Sequence, residues 1–67
     1  MNVYVALGGD RESDTIIGVE FTSEDVRRTC EAKERRYGYV SYEEWTLGGT
    51  CQGTWLLTSE KEWIRSL

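Results

Sequence analysis

Apolar residues in this chain never run more than five in a row, from Val3 to Leu7, and outside one central stretch they follow strand spacing between glycine-rich turns. That pattern fixes the class of fold. Short runs with period two make half-buried strands, and residues 22–37 carry the one extended helical period. The longest apolar run is far below the roughly 20 residues a membrane helix needs. Proline is absent altogether, which fits short turns and excludes a proline-rich linker or docking segment.

Residues 2–7 read as a first strand, with Val3, Val5 and Leu7 on one face and Tyr4 and Ala6 on the other. A polar, glycine-led turn from Gly8 to Asp14 leads to a second strand over 15–21, with Ile17, Val19 and Phe21 expected to face the core and Ile16, Gly18 and Glu20 to lie outside. Thr22 or Ser23 can cap a helix whose first turn holds Glu24 and Asp25, and the helix is expected to reach about Arg36, just before Gly38. Val26, Thr29, Cys30, Lys33 and Tyr37 share one side, a narrow stripe that suits a helix lying on a sheet. Residues 39–47 and 54–58 read as two further strands around a turn at 48–53; in the third strand Tyr39, Trp45 and Leu47 suit the core better than Val40, Tyr42 and Glu44. Ser59 followed by Glu62 matches a capping box and predicts a short C-terminal helix carrying Trp63, Ile64 and Leu67, with a final strand as the alternative. The expected fold is α+β: one domain over 1–67, a small antiparallel sheet with one helix packed on it, in the order ββαββ.

A chain of 67 residues has room for a thin core only, burying about 60% of its unfolded surface. Three tryptophans, four tyrosines and one phenylalanine help, since each large ring buries on the order of 150–250 Å². The opening Met1-Asn2-Val3-Tyr4 has neither a basic nor an apolar leader region, so no signal peptide is expected, and two cysteines are too few for a disulfide scaffold. A cytoplasmic site with reduced thiols is the natural reading.

Catalysis finds little to work with. There is no histidine, the commonest general base and metal ligand. Cys30 and Cys51 therefore lack the usual activating partner and cannot complete a four-ligand zinc site. Asp10, Glu12 and Asp14 alternate like the start of a calcium loop, but the required glycine and distal glutamate are missing. Glu43 and Glu44 are strand neighbours and point to opposite faces, so they cannot flank one substrate. Neither Gly8-Gly9 nor Gly48-Gly49 begins a phosphate loop. No enzyme activity, cofactor or metal is expected.

Charge points towards binding. Twelve acids against eight bases leave a net charge of −4, unsuited to direct nucleic-acid binding. The helix region holds five bases against four acids, so the rest of the chain carries −5. If the helix covers one sheet face, the other is expected to present tyrosines among carboxylates. The candidate partner-binding set is Tyr4, Asp10, Glu12, Asp14, Glu20, Tyr42, Glu43 and Glu44, with Ile16 beside it. Such a face suits a host protein or complex with a basic surface; a homodimer is the other use for it, and no membrane is involved.

Val3-Tyr4-Val5-Ala6-Leu7, a short polar loop, then Ile17-Gly18-Val19-Glu20-Phe21-Thr22-Ser23-Glu24-Asp25 before a charged helix resembles a pattern in small ββαβ proteins of bacteria and their phages. In being short, acidic, proline-free and without catalytic residues, the chain is similar to phage-encoded inhibitors such as anti-CRISPR proteins. That resemblance implies an inhibitor that occludes a host complex, often at a site that binds nucleic acid, with acidic groups mimicking DNA. It is a likeness of type and carries over no individual residue. The other expectation is a small accessory subunit that buries its sheet face in an oligomer.

Overall fold

A computed structural model describes residues 1–9 and 13–66. The strands are β1 (Asn2–Gly9), β2 (Asp14–Glu20), β3 (Tyr39–Thr46), β4 (Cys51–Leu57) and β5 (Trp63–Arg65); the helix is α1 (Ser23–Lys33), followed by a 3-10 turn (Glu34–Arg36). All five strands form one antiparallel sheet in the order β2-β1-β3-β4-β5. The α+β class is as expected from the sequence. The element order is ββαβββ, because the C-terminal segment is a strand and not a helix. The capping-box residues form a tight turn in its place. The Thr58 and Glu62 backbones bond across it, and the Glu62 N–H also donates to the Thr58 hydroxyl at 3.1 Å.

Local chemistry sets the helix ends. Thr22 is extended, and its hydroxyl accepts from the Asp25 N–H at 3.1 Å. Arg28 reaches back to Glu24 and Asp25, at 3.1 and 3.3 Å, in the i,i+4 and i,i+3 positions. Glu31, whose charge suggests a pair with Arg35, instead accepts from the indole N–H of Trp63, at 3.2 Å, tying α1 to β5.

The core lies between α1 and the face of the sheet that carries Tyr4, Ala6, Val40, Tyr42, Trp55 and Leu57, with Val26 and Cys30 as the buried residues of the helix. Small residues let the two layers approach closely. A Cβ on Gly18 would meet the Thr29 methyl at 2.8 Å, and one on Gly8 would meet the Tyr37 ring at 2.6 Å. This reverses the expected facing. Tyr4 and Ala6 lie on the helix side and Val3, Val5 and Leu7 on the other; Val40 and Tyr42 are inside while Tyr39 and Leu47 are exposed. On β2, Ile17 is the extra residue of a β-bulge and reaches the core, so Gly18 and Glu20 face the helix while Val19 faces away. Phe21, also expected inside, is exposed.

Beyond the reach of α1 the helix-side face is covered by rings. Tyr42, only 1% exposed, stacks on Trp55 at 5.1 Å and 7°, meets Trp63 edge-on at 5.1 Å and touches Tyr4 at 6.1 Å. The Arg27 Nε donates to its hydroxyl at 2.9 Å, and the Arg65 guanidinium caps the outer side of Trp55 at 5.2 Å. The outer edge of β2 is interrupted by the bulge at Ile17, whose carbonyl accepts from the Lys33 ammonium at 2.9 Å.

Tyr42→Ala is expected to cost about 3–5 kcal/mol, most of the roughly 3–10 kcal/mol available to a domain this small. Tyr42→Phe, which loses only the bond from Arg27, is expected to cost about 1 kcal/mol. Urea unfolding of the two variants checks the difference.

Candidate functional site

No described element packs on the second face of the sheet. β1 contributes Val3, Val5 and Leu7; β2 adds Ile16 and Val19, β3 adds Glu43 and Trp45, β4 adds Leu56 and β5 adds Ile64. Ile16 is 64% exposed, Val19 54% and Ile64 46%. Strand alternation alone puts these side chains on one surface, because the register pairs Val5 with Val19, Leu7 with Ile16 and Leu56 with Ile64. Ser41 lies between Leu7 and Leu56 and Thr54 lies opposite Glu43 on the same face; a sheet face this largely apolar and left in water is the kind of surface that marks an interaction site.

Two carboxylates are set into it. Glu43, on the central strand β3, accepts from the indole N–H of Trp45 at 3.1 Å. Asp14 lies at one end, where the Tyr39 hydroxyl donates to it across Gly9; a Cβ on Gly9 would collide with both groups, so only glycine admits this bridge. Among the described residues this face carries these two acids and no base.

The set read from the sequence is divided between the two faces. Glu43 and Asp14 belong to the open face, as does Ile16. Tyr4, Glu20, Tyr42 and Glu44 lie on the helix side. Tyr42 is sealed in the core and offers a partner no surface. Glu20 accepts from the Thr29 hydroxyl at 3.0 Å, at the flank of α1. Glu44 accepts from the Asn2 amide and lies beside Tyr4, whose phenol pKa is raised by burial and by the Glu44 charge. Asp10 and Glu12 lie outside the described residues. The residues that make the open face apolar are absent from that set: Val3, Val5 and Leu7 are read only as one face of the first strand, Val19 and Trp45 as core, and Ile64 as part of a C-terminal helix. Their signal was the small set Ala6, Gly8 and Gly18 on the opposite parity, which marks where a helix can approach.

The two cysteines are separated by the sheet. Cys30 is on the helix side and buried, and both thiols are free. Burial, with a contribution from the Glu31 charge, pushes the Cys30 thiol up from 9.0 to about 11, which leaves it a poor nucleophile at neutral pH. Cys51 sits opposite Trp45, next to a second bulge that leaves Gln52 unopposed. Among the described residues no cluster of acids and cysteines could hold a metal ion, and no helix is long and apolar enough to cross a membrane.

Compared with known proteins, the chain matches no family model, no curated protein and no solved structure.

Native protein at neutral pH is expected to be alkylated by iodoacetamide at Cys51 and at Cys30 only on unfolding, as mass spectrometry of the labelled peptides would read. Folding holds the proton on Cys30, so between pH 9 and about 11 the unfolded chain releases it while the folded one keeps it. Stability is therefore expected to fall as pH rises through that window, and less so in Cys30→Ala.

Proposed function

We propose that this chain is a non-enzymatic protein-binding module that docks its open sheet face on the apolar, basic surface of another protein. We further propose that it acts as an inhibitor of the anti-CRISPR type, covering a nucleic-acid-binding site on a host complex. The observation that carries the docking reading is the face itself: exposed Ile16, Val19 and Ile64 around Glu43, with Asp14 at one end and no base among the described residues. Apolar contacts supply most of the affinity of such a patch, and a charge at its centre selects the partner. A lysine or arginine opposite Glu43 meets that charge, whereas an acidic or purely apolar surface leaves it desolvated and unpaired.

The inhibitor reading rests on less: the size, acidity and element pattern shared with phage-encoded inhibitors, and the sign of charge that fits a nucleic-acid-binding surface. Mimicry by a broad acidic, tyrosine-bearing surface is replaced in this proposal by an apolar footprint with two carboxylates, since Tyr42 is buried and Glu20 and Glu44 are on the far side of the sheet.

The alternative, an accessory subunit that buries this face in an oligomer, draws on the same apolar residues. In a twofold dimer formed through the face, the two copies of Glu43 would be brought towards one another with no base among the described residues of either face to offset them. A monomer is therefore expected by sedimentation at micromolar concentration; a stable dimer abolished by Val19→Asp would favour the subunit reading instead.

The direct test is retention of a defined host complex from nuclease-treated bacterial lysate. Val19→Asp and Glu43→Lys are expected to weaken it by about 2 kcal/mol or more each, roughly thirtyfold, while Arg28→Glu on the helix leaves it unchanged. Equal retention by all three variants would rule out the open face as the docking surface.

A further inference from the structure

The open face is not uniform across the sheet. On its β2-β1-β3 side the apolar residues lie in register: Val5 pairs with Val19, Leu7 with Ile16 and Val3 with Trp45. Ile16 and Val19 stand well exposed along one margin, while Val3, Val5 and Leu7 are half-buried in the middle. The other margin is β3, where Glu43 lies opposite Val5 and Ser41 opposite Leu7. Past Glu43 the row turns polar. Thr54 is its neighbour on β4, and the Thr54 hydroxyl bonds with that of Ser66 at 2.8 Å. Leu56 and Ile64 form a separate apolar pair beyond Ser41.

The dimensions of the β2-β1-β3 strip select what can lie on it. Strands about 4.8 Å apart make it about 10 Å wide, and a helix with its side chains is roughly 10–12 Å across. Along β1, Val3 to Leu7 spans about 14 Å at about 3.4 Å per residue, a little over two helical turns of about 5.4 Å each. The backbone argues the same way. The peptide groups of β1 and β3 are paired with strands on both sides, so the face offers none to a partner. An extended segment laid there leaves its own N–H and C=O groups unpaired against apolar side chains. A helix satisfies its peptide groups internally. A second sheet does too, but packed face to face it carries Glu43, Thr54 and Ser66 into a sealed interior.

We propose that the occupant of the open face is a single amphipathic helix of another protein, lying along β1. Its apolar stripe, at i, i+4 and i+7 spacing, rests on Val3, Val5 and Leu7 beside Ile16 and Val19. A lysine or arginine on its flank meets Glu43, whose carboxylate is held in place by the Trp45 indole at 3.1 Å. This inference rests on the docking reading above and narrows it: the footprint is the β2-β1-β3 strip, and Leu56 and Ile64 lie outside the helix contact.

The test is titration of ¹⁵N-labelled protein with an 18-residue helical peptide of alanine and glutamine, carrying leucine at positions 4, 8, 11 and 15 and arginine at position 7. Saturable shifts are expected at Val5, Leu7, Ile16, Val19 and Glu43, and smaller ones at Leu56 and Ile64. Glutamate in place of the peptide's arginine is expected to weaken binding about tenfold or more, and Glu43→Lys to reverse that preference. The same residues rearranged with the leucines at alternate positions, a strand pattern, are expected to give no saturable shift. Equal binding of the rearranged peptide, shifts as large at Leu56 and Ile64 as at Val19, or an arginine preference that survives Glu43→Lys would each overturn the helix. No saturable shift with the helical peptide, while Val19→Asp still abolishes retention of the host complex, would overturn the helix and keep the docking face; retention that also ignores Val19→Asp would remove both.

Discussion

Everything in this fold converges on the ring of Tyr42. It lies on the central strand β3, fully buried, in contact with Trp55, Trp63 and Tyr4, with its hydroxyl held by Arg27. One helix of eleven residues with two buried side chains cannot cover five strands. The aromatic cluster extends the covered area to β4 and β5, where α1 arrives only through the side chains of Arg27 and Glu31. Arginines at 5.6 and 5.2 Å, Arg27 over Tyr42 and Arg65 over Trp55, finish the cluster with groups that tolerate both ring faces and water. Because large rings bury so much surface, a chain this short can spend nearly all its best packing on one face of its sheet. The other face is left apolar and uncovered for the same reason.

That division shapes the candidate site. The fold needs small residues under the helix, Ala6, Gly8 and Gly18, and large ones beside it. The opposite parity of each strand is then free of packing demands and carries Val3, Val5, Leu7 and Val19. β-branched residues there still serve strand formation, and the face they make is what a partner would contact. Glu43 stands alone among them, its carboxylate braced by the Trp45 indole, so any partner must answer a charge whose position is fixed.

The existence and type of most elements could be read from the sequence, because period two, glycine turns and a Thr-capped charged stretch are local signals. Facing could not. Both parities of β1 are apolar, and Val3, Val5 and Leu7 look more like a core than Tyr4, Ala6 and Gly8 do. Hydrophobicity tells that a strand has an apolar face but not which face a helix will cover; closeness of approach decides that, and it is written in small residues. The shift at Ile17 was invisible for a related reason, since one extra residue in β2 reverses the facing of all that follows. At the C-terminus, Ser59 to Glu62 satisfies a helix cap and a tight turn equally well. What decided between them is distant in sequence: the pairing of Leu56 with Ile64 and the bond from Trp63 to Glu31.

The edges of the sheet carry a consequence for stoichiometry. On β2 the bulge breaks the even spacing another strand would need, and the Lys33 ammonium occupies the Ile17 carbonyl. On the far side β5 is only three residues long. Neither border offers a template long and regular enough to add strands indefinitely. Under the docking proposal a partner sits on the flat of the sheet, a surface that one occupant uses up, and a complex formed that way is finite and does not propagate into a filament.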